Sequence, residues 1–196
     1  VLIQGLKNIK NHMGSGKLNY FKLKQNESAL VRFLVTDAED PNLIAVYEHD
    51  LSFRDNPPFT ATCIGQNCPL CAKGIAKRLA IYFPLYDKRD NQYKIWRRGV
   101  KFAEQIEGYL NKYGELNKRD YQIERKGTNI QNTTYNLYPE DPKPFEPDIE
   151  AFEELMINLK KSLAPRTKEE LIGLVEGNDL LDGAIEVEIP DEDVPF

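Results

Sequence analysis

The chain has 196 residues, 41% hydrophobic and 29% charged, which is enough apolar material for a core without staples and too much for a disordered chain. No apolar run approaches a membrane span and no basic-then-apolar leader opens the chain, so neither a transmembrane nor a secreted protein is expected. The net charge of −5 conceals an asymmetry: residues 1–138 carry +7 and residues 139–196 carry −12, the distribution of a polyanion-binding body with an anionic end.

The first 28 residues read as a basic flexible arm containing Lys7, Lys10, Lys17, Lys22 and Lys24. Gly14-Ser15-Gly16 before Lys17 is not a phosphate loop, because Asn11 stands at the first glycine position and Leu18 where Ser or Thr must hold the metal. Ala29 to Thr36 and Leu43 to Phe53 are strand-like, joined by the turn Asp40-Pro41-Asn42. Ala80 to Tyr86 and Gln92 to Trp96 bracket the polar turn Asp87 to Asn91 and read as a hairpin. Lys101 to Tyr113 carries Ala103, Ile106, Leu110 and Tyr113 at helical spacing, and Gly114 stops it. Tyr121 to Lys126 and Thr133 to Tyr138 form a last strand pair. Strands, then a helix, then a closing strand pair is the order of a small Greek-key barrel.

Pro139, Pro142, Pro144 and Pro147 mark a boundary. Beyond it Ile149, Phe152, Met156, Leu159 and Leu163 form one helical stripe, and Thr167-Lys168-Glu169-Glu170 is a capping box opening a second helix. The expected division is an arm at 1–28, a β-barrel core at 29–146 with a metal-binding subdomain at about 47–75, a helical appendage at 147–177 and an acidic tail at 178–196.

His49, Cys63, Cys68 and Cys71 give His-x13-Cys-x4-Cys-x2-Cys and use every cysteine in the chain. Zinc takes four N or S ligands at tetrahedral corners, and Cys68-Pro69-Leu70-Cys71 supplies two from one turn. A full set of four protein ligands leaves no open position, so one structural Zn2+ is expected. Buried inert cysteines and a redox-active Cys68/Cys71 pair are the alternatives. A zinc deaminase is disfavoured: Asp50-Leu51 follows His49, and Pro69 lies inside the cysteine pair rather than before it.

Tyr82, Tyr86, Tyr93 and Trp96 crowd the hairpin, interleaved with Lys77, Arg78, Lys88, Arg89, Lys94, Arg97, Arg98 and Lys101. Arg125, Lys126 and Tyr135 repeat the theme on the later strand pair, beside Tyr121 and Tyr138. Aromatic rings stack on unpaired bases while cations track phosphates, so this cluster points to a sequence-tolerant single-strand groove. Tyr82, Tyr86, Tyr93, Trp96 and Tyr135 are the expected groove aromatics, since Tyr and Trp tolerate exposure at a polar edge.

The chain ends Asp191-Glu192-Asp193-Val194-Pro195-Phe196, an anionic lure with an apolar anchor suited to a basic-rimmed pocket on a partner protein. This ending resembles the acidic tip of bacterial single-stranded DNA-binding proteins, which recruits replication and repair enzymes. From about His49 to Tyr138 the chain resembles the zinc-containing single-stranded DNA-binding proteins of T-even-type phages, through its one-His, three-Cys order and the following aromatic and basic strand. The resemblance implies an OB-fold, a five-stranded Greek-key barrel with zinc in a subdomain beside the groove, to which the helical stripes read above add C-terminal helices.

The function expected is non-enzymatic coating of single-stranded DNA in phage-type replication, recombination or repair. It predicts a cytoplasmic location in a bacterial host, with partner enzymes recruited through Asp191–Phe196. No membrane and no small-molecule substrate enter this reading. The alternatives are a zinc-ribbon adaptor for replication proteins and a single-stranded RNA-binding OB-fold protein.

Overall fold

The computed structural model describes residues 18–53, 59–128 and 132–176. Its strands are β1 (Ser28–Phe33), β2 (Ile44–Asp50), β3 (Thr60–Thr62), β4 (Lys77–Asp87), β5 (Gln92–Arg98), β6 (Arg119–Lys126) and β7 (Thr134–Pro142). Its helices are α1 (Pro69–Ala72), α2 (Val100–Tyr113), α3 (Ile149–Ser162) and α4 (Lys168–Glu176), with a single 3-10 turn at Leu116–Lys118. The chain is mainly β. The hairpin, the α2 helix and the β6–β7 pair fall within a few residues of the sequence expectation, whereas β3 has no counterpart in it.

All strand pairs are antiparallel, in the order β3-β2-β4-β1-β6-β7 with β5 on the other edge of β4. The long strand β4 forks. Residues 77–82 pair with β2, and residues 85–87 pair with β1 on the same edge. Pro84 sits at the fork, between the last β2 partner and the first β1 partner, so its missing N–H removes no ladder bond.

The expected closed five-stranded barrel is not what the described residues form; the seven-stranded sheet curls but stays open. Ring contact brings β5 and β7 together, with Trp96 and Tyr135 centroids 5.3 Å apart, while no backbone ladder joins the two strands. Helix α2 lies at this gap. Phe102 and Ile106 enter the core, Gln105 Nε2 donates to the Tyr135 carbonyl, and the Tyr109 hydroxyl donates to that of Leu137. A free strand edge is an association hazard, and side-chain donors on its carbonyls blunt it.

Three apolar clusters organise the interior. The largest lies inside the curl and is built around a chain of rings: Trp96 meets Phe21, Phe33, Phe102 and Tyr135, and Phe33 meets Phe83 and Tyr121. The second lies on the opposite face, where Leu155, Met156 and Leu159 of α3 cover Ala80, Tyr82 and Ile95. Ile149, expected on the buried stripe, is exposed, and Leu155 is buried instead. The third joins Leu171 and Leu174 of α4 to Leu51, Ala61, Cys68 and Leu70. The expected capping box on α4 forms in both directions: Thr167 N–H donates to Glu170 and Glu170 N–H to Thr167 Oγ1.

Residues 18–28, expected in the arm, belong to the body. Leu18, Phe21 and Leu23 are buried, and Tyr20 makes a parallel bridge to Ile95 that covers the outer edge of β5.

Candidate metal centre and nucleic-acid interface

His49 is the last residue but one of β2, Cys63 follows β3, Cys68 caps the start of α1 and Cys71 lies within it. Left-handed backbone at Gly65, Asn67 and Gly74 lets this loop reverse within a dozen residues, and Pro69 starts α1, where a missing N–H costs nothing. The Cys63 N–H donates to the Tyr47 carbonyl, which ties the loop to β2.

His49 Nδ1 lies 2.9 Å from the Ile75 carbonyl, which only accepts, so Nδ1 carries the proton and Nε2 turns its lone pair toward the sulfurs. Nε2 is 3.4 Å from Cys68 Sγ and 3.5 Å from Cys71 Sγ, and the Cys63 and Cys71 sulfurs are 3.7 Å apart. A tetrahedral ion with Zn–S about 2.3 Å and Zn–N about 2.0–2.1 Å has S···S edges of about 3.75 Å and S···N edges of about 3.5 Å. A disulfide needs about 2.05 Å. The four ligand atoms lie within 4.8 Å of one another and are close enough to hold a metal ion.

The thiols feel one another. Burial alone would raise Cys68, but backbone N–H groups of Cys71, Ile64 and Leu70, with the His49 ring, bring it down to about 6. Desolvation and the neighbouring Cys63 and Cys68 sulfurs push Cys71 up. Crowded thiolates of this kind favour a divalent cation among them.

The aromatic and basic cluster divides in two. Trp96 and Tyr82 are 2% exposed, on opposite faces of the β4–β5 hairpin, and neither offers a ring to an external ligand. The Tyr82 hydroxyl donates to Glu48, which also pairs with Arg97. Burial raises Glu48 and Arg97 pulls it back, with a net rise. Arg125 is buried, donating to the Leu23 carbonyl. Tyr86 and Tyr93 pack on each other; the first donates to Asn91 and the second accepts from the Asp148 N–H.

Most hairpin cations are engaged by acids. Arg89 and Lys94 pair with buried Asp87, Lys88 with buried Asp120, and Arg78 with Asp50. Asp120 also takes Arg32 and Lys143. Lys126 is exposed but rests on Glu124.

Lys77 and Lys101 are exposed, whereas Arg98 and Tyr135 are half-buried, with the Arg98 guanidinium against the Trp96, Phe102 and Tyr135 rings. Strand parity and the β2–β4 and β4–β5 registers put Tyr47, Lys77, Leu79, Ile81 and Arg98 on the side away from α3. The aromatic core fills that side only as far as Leu43 and Ile81. Past it a strip that no described element covers runs toward His49 and the cysteines, with Ala45 and Lys77 exposed, Leu79 half-buried and Tyr47 53% exposed. Lys77 Nζ lies 5.3 Å above the Tyr47 ring. At the strip's other end the Arg98 guanidinium is 4.1 Å from the Tyr135 ring centroid, and exposed Lys101 follows on α2. Two strand spacings, roughly 10 Å, separate β2 from β5.

Sequence reasoning missed Tyr47. The signal was present: if His49 is a ligand, Tyr47 two positions earlier shares its side of the strand. Exposed Tyr138 donates to Glu124 on the far face of the β6–β7 pair. A polar cavity of about 240 Å³ on the α3 side is lined by Tyr20, Glu48, Tyr82, Lys161 and Arg166 among others. Residues Asp191–Phe196 lie outside the described residues.

No protein-family model matches the chain. Neither the curated proteins nor the solved structures yield a match.

Proposed function

We propose that this protein binds single-stranded DNA without sequence preference, in replication, recombination or repair, and acts by coating rather than by catalysis. The observation that carries the reading is the uncovered strip between the aromatic core and the metal ligands, with its two cation-and-ring pairs, Lys77 with Tyr47 and Arg98 with Tyr135. Flat rings accept any base, and cations beside them meet the phosphates. The side chains that line the strip are Tyr47, Lys77, Leu79, Arg98, Lys101 and Tyr135; the hairpin cations bound to Asp87 and Asp120 are structural in this reading.

The metal is one structural Zn2+. Support comes from the donor set, one nitrogen and three sulfurs, and from the Nε2–Cys68, Nε2–Cys71 and Cys63–Cys71 separations, which lie close to tetrahedral edges. An OB-like barrel is supported by a curled antiparallel sheet whose open seam is filled by α2. The acidic tip Asp191–Phe196 would recruit partner enzymes, in the cytoplasm of a bacterial host if the gene is a phage's.

The deciding experiment is anisotropy of labelled oligo-dT, oligo-U and a matched duplex at two salt concentrations. Salt-sensitive binding of oligo-dT over duplex is expected. Equal binding of oligo-U widens the ligand to either single strand, and binding of none of them leaves the zinc-ribbon adaptor.

A further inference from the structure

The three ligand sulfurs differ in environment. Cys68 is buried against Leu70, Leu171 and Leu174, Cys63 is half-buried, and Cys71 is the most exposed of the three. Cys63 and Cys71, from opposite sides of the loop, already stand 3.7 Å apart. Cys63 is fixed by its N–H bond to Tyr47. Cys71 belongs to a four-residue helix that ends at Gly74 in left-handed conformation. Closing the gap between the two sulfurs to a disulfide needs a shift of roughly 1.7 Å, within reach of a change in the two side-chain torsions.

We propose that Cys63 and Cys71 form an oxidisable dithiol, a modification site at which a hydroperoxide converts the metal-holding cluster into a metal-free disulfide. The inference rests on the metal reading above for its second half only. Cys71, the sulfur that peroxide reaches, gives up its thiol proton and attacks the outer peroxide oxygen; an S–O bond forms, the O–O bond breaks, and the departing hydroxide or alkoxide takes a proton to leave as water or alcohol. The Cys63 thiolate then attacks the sulfenic sulfur; the S–S bond forms, the S–O bond breaks, and hydroxide leaves as water. Two thiolates lose two electrons, and the peroxide gains them.

Two ligands then remain, Cys68 and His49, too few to retain zinc. Cys68 is shielded by the α4 contact and stays reduced. The vicinal Cys68–Cys71 pair, the obvious redox motif by spacing, is thus not the pair that closes.

The test uses the full-length protein as isolated, with its zinc content measured first. Hydrogen peroxide is added beside a chromogenic zinc chelator. Free thiols are then alkylated, the disulfide is reduced and a heavier alkylating reagent is added. Fragment-ion sequencing of the peptide covering residues 55–73 reads the label on each cysteine. The expected result is the light label on Cys68, the heavy label on Cys63 and Cys71, and one zinc released per disulfide. Cys63→Ser should abolish the bridge and leave Cys71 as a sulfenic or higher acid. A heavy label on Cys68, a disulfide-linked dimer on a non-reducing gel, or zinc release with all thiols free overturns the proposal. If the isolated protein holds no zinc, the metal reading fails, and the label pattern still decides which cysteines pair.

Discussion

Tyr47→Ala is the sharpest test of where single strands bind. The ring is 53% exposed, with Lys77 as its cationic neighbour, so its removal costs the fold little, within about 0.5 kcal/mol. A base stacked on an aromatic ring contributes about 1–3 kcal/mol, and each 1.4 kcal/mol is about tenfold in affinity. Oligo-dT affinity should therefore fall about 5- to 150-fold with an unchanged melting temperature. Tyr47→Phe should keep most of the affinity, because the face of the ring and not its hydroxyl makes the stack. Lys77→Ala should lower the salt slope of binding by about 0.7, one released counterion on a single strand. Trp96→Ala is the control. At 2% exposure, in contact with four other rings, Trp96 should cost about 3–5 kcal/mol of stability when truncated, and weaker binding there would report a damaged fold. Unchanged oligo-dT affinity for a folded Tyr47→Ala protein would refute the strip as the binding face.

The other predictions concern the metal, the buried charges and the tail. Elemental analysis should find about one zinc per chain, and Cys68→Ser should unfold the loop beneath α4, read as faster proteolysis after residue 162. Asp120 is fully buried; burial raises its carboxyl, but Lys143, Lys88 and Arg32 outweigh that and hold it below the ordinary value. Its contribution to stability is present above the unfolded value of about 3.9 and is lost as pH falls through the lower folded value, so Asp120→Asn should flatten the acid limb of the stability curve. The same variant leaves three cations without their carboxylate and should cost about 3–5 kcal/mol by chemical denaturation at neutral pH. Deleting residues 191–196 should leave oligo-dT binding unchanged or tighter and abolish recruitment of partner enzymes; a clear loss of affinity would count against the tail's assigned role.

What the sequence discloses is what is decided locally. Thr167 and Glu170 cap a helix wherever that helix goes, and the metal ligands are rare residue types whose spacing survives any packing. The hairpin is legible because its polar turn and its two arms are contiguous. Exposure of a given aromatic is not local. Trp96 and Tyr82 point to opposite sides of the same hairpin, and alternation alone would leave one of them wet; both are dry because the curl of the sheet closes over one side and α3 covers the other. Strand β3 has three residues and no apolar pattern, and exists through its register with Glu48, His49 and Asp50. Charge misleads for a related reason. The net +7 over residues 1–138 already subtracts Glu48, Asp87 and Asp120, but a sum does not say which cations stand beside those acids, and Lys88, Arg89, Lys94 and Arg97 each meet one of them. An ion pair adds nothing to the field that a phosphate feels at a distance, whereas a lysine over an exposed ring keeps its charge at the surface. In the proposed reading the cations that meet phosphate are therefore Lys77 and Lys101, beside the loop of His49 and the three cysteines, rather than those of the hairpin turn. There His49 and Tyr47 share one side of one short strand, so an ion held by His49 would sit at the end of the strip, two residues along the strand from Tyr47.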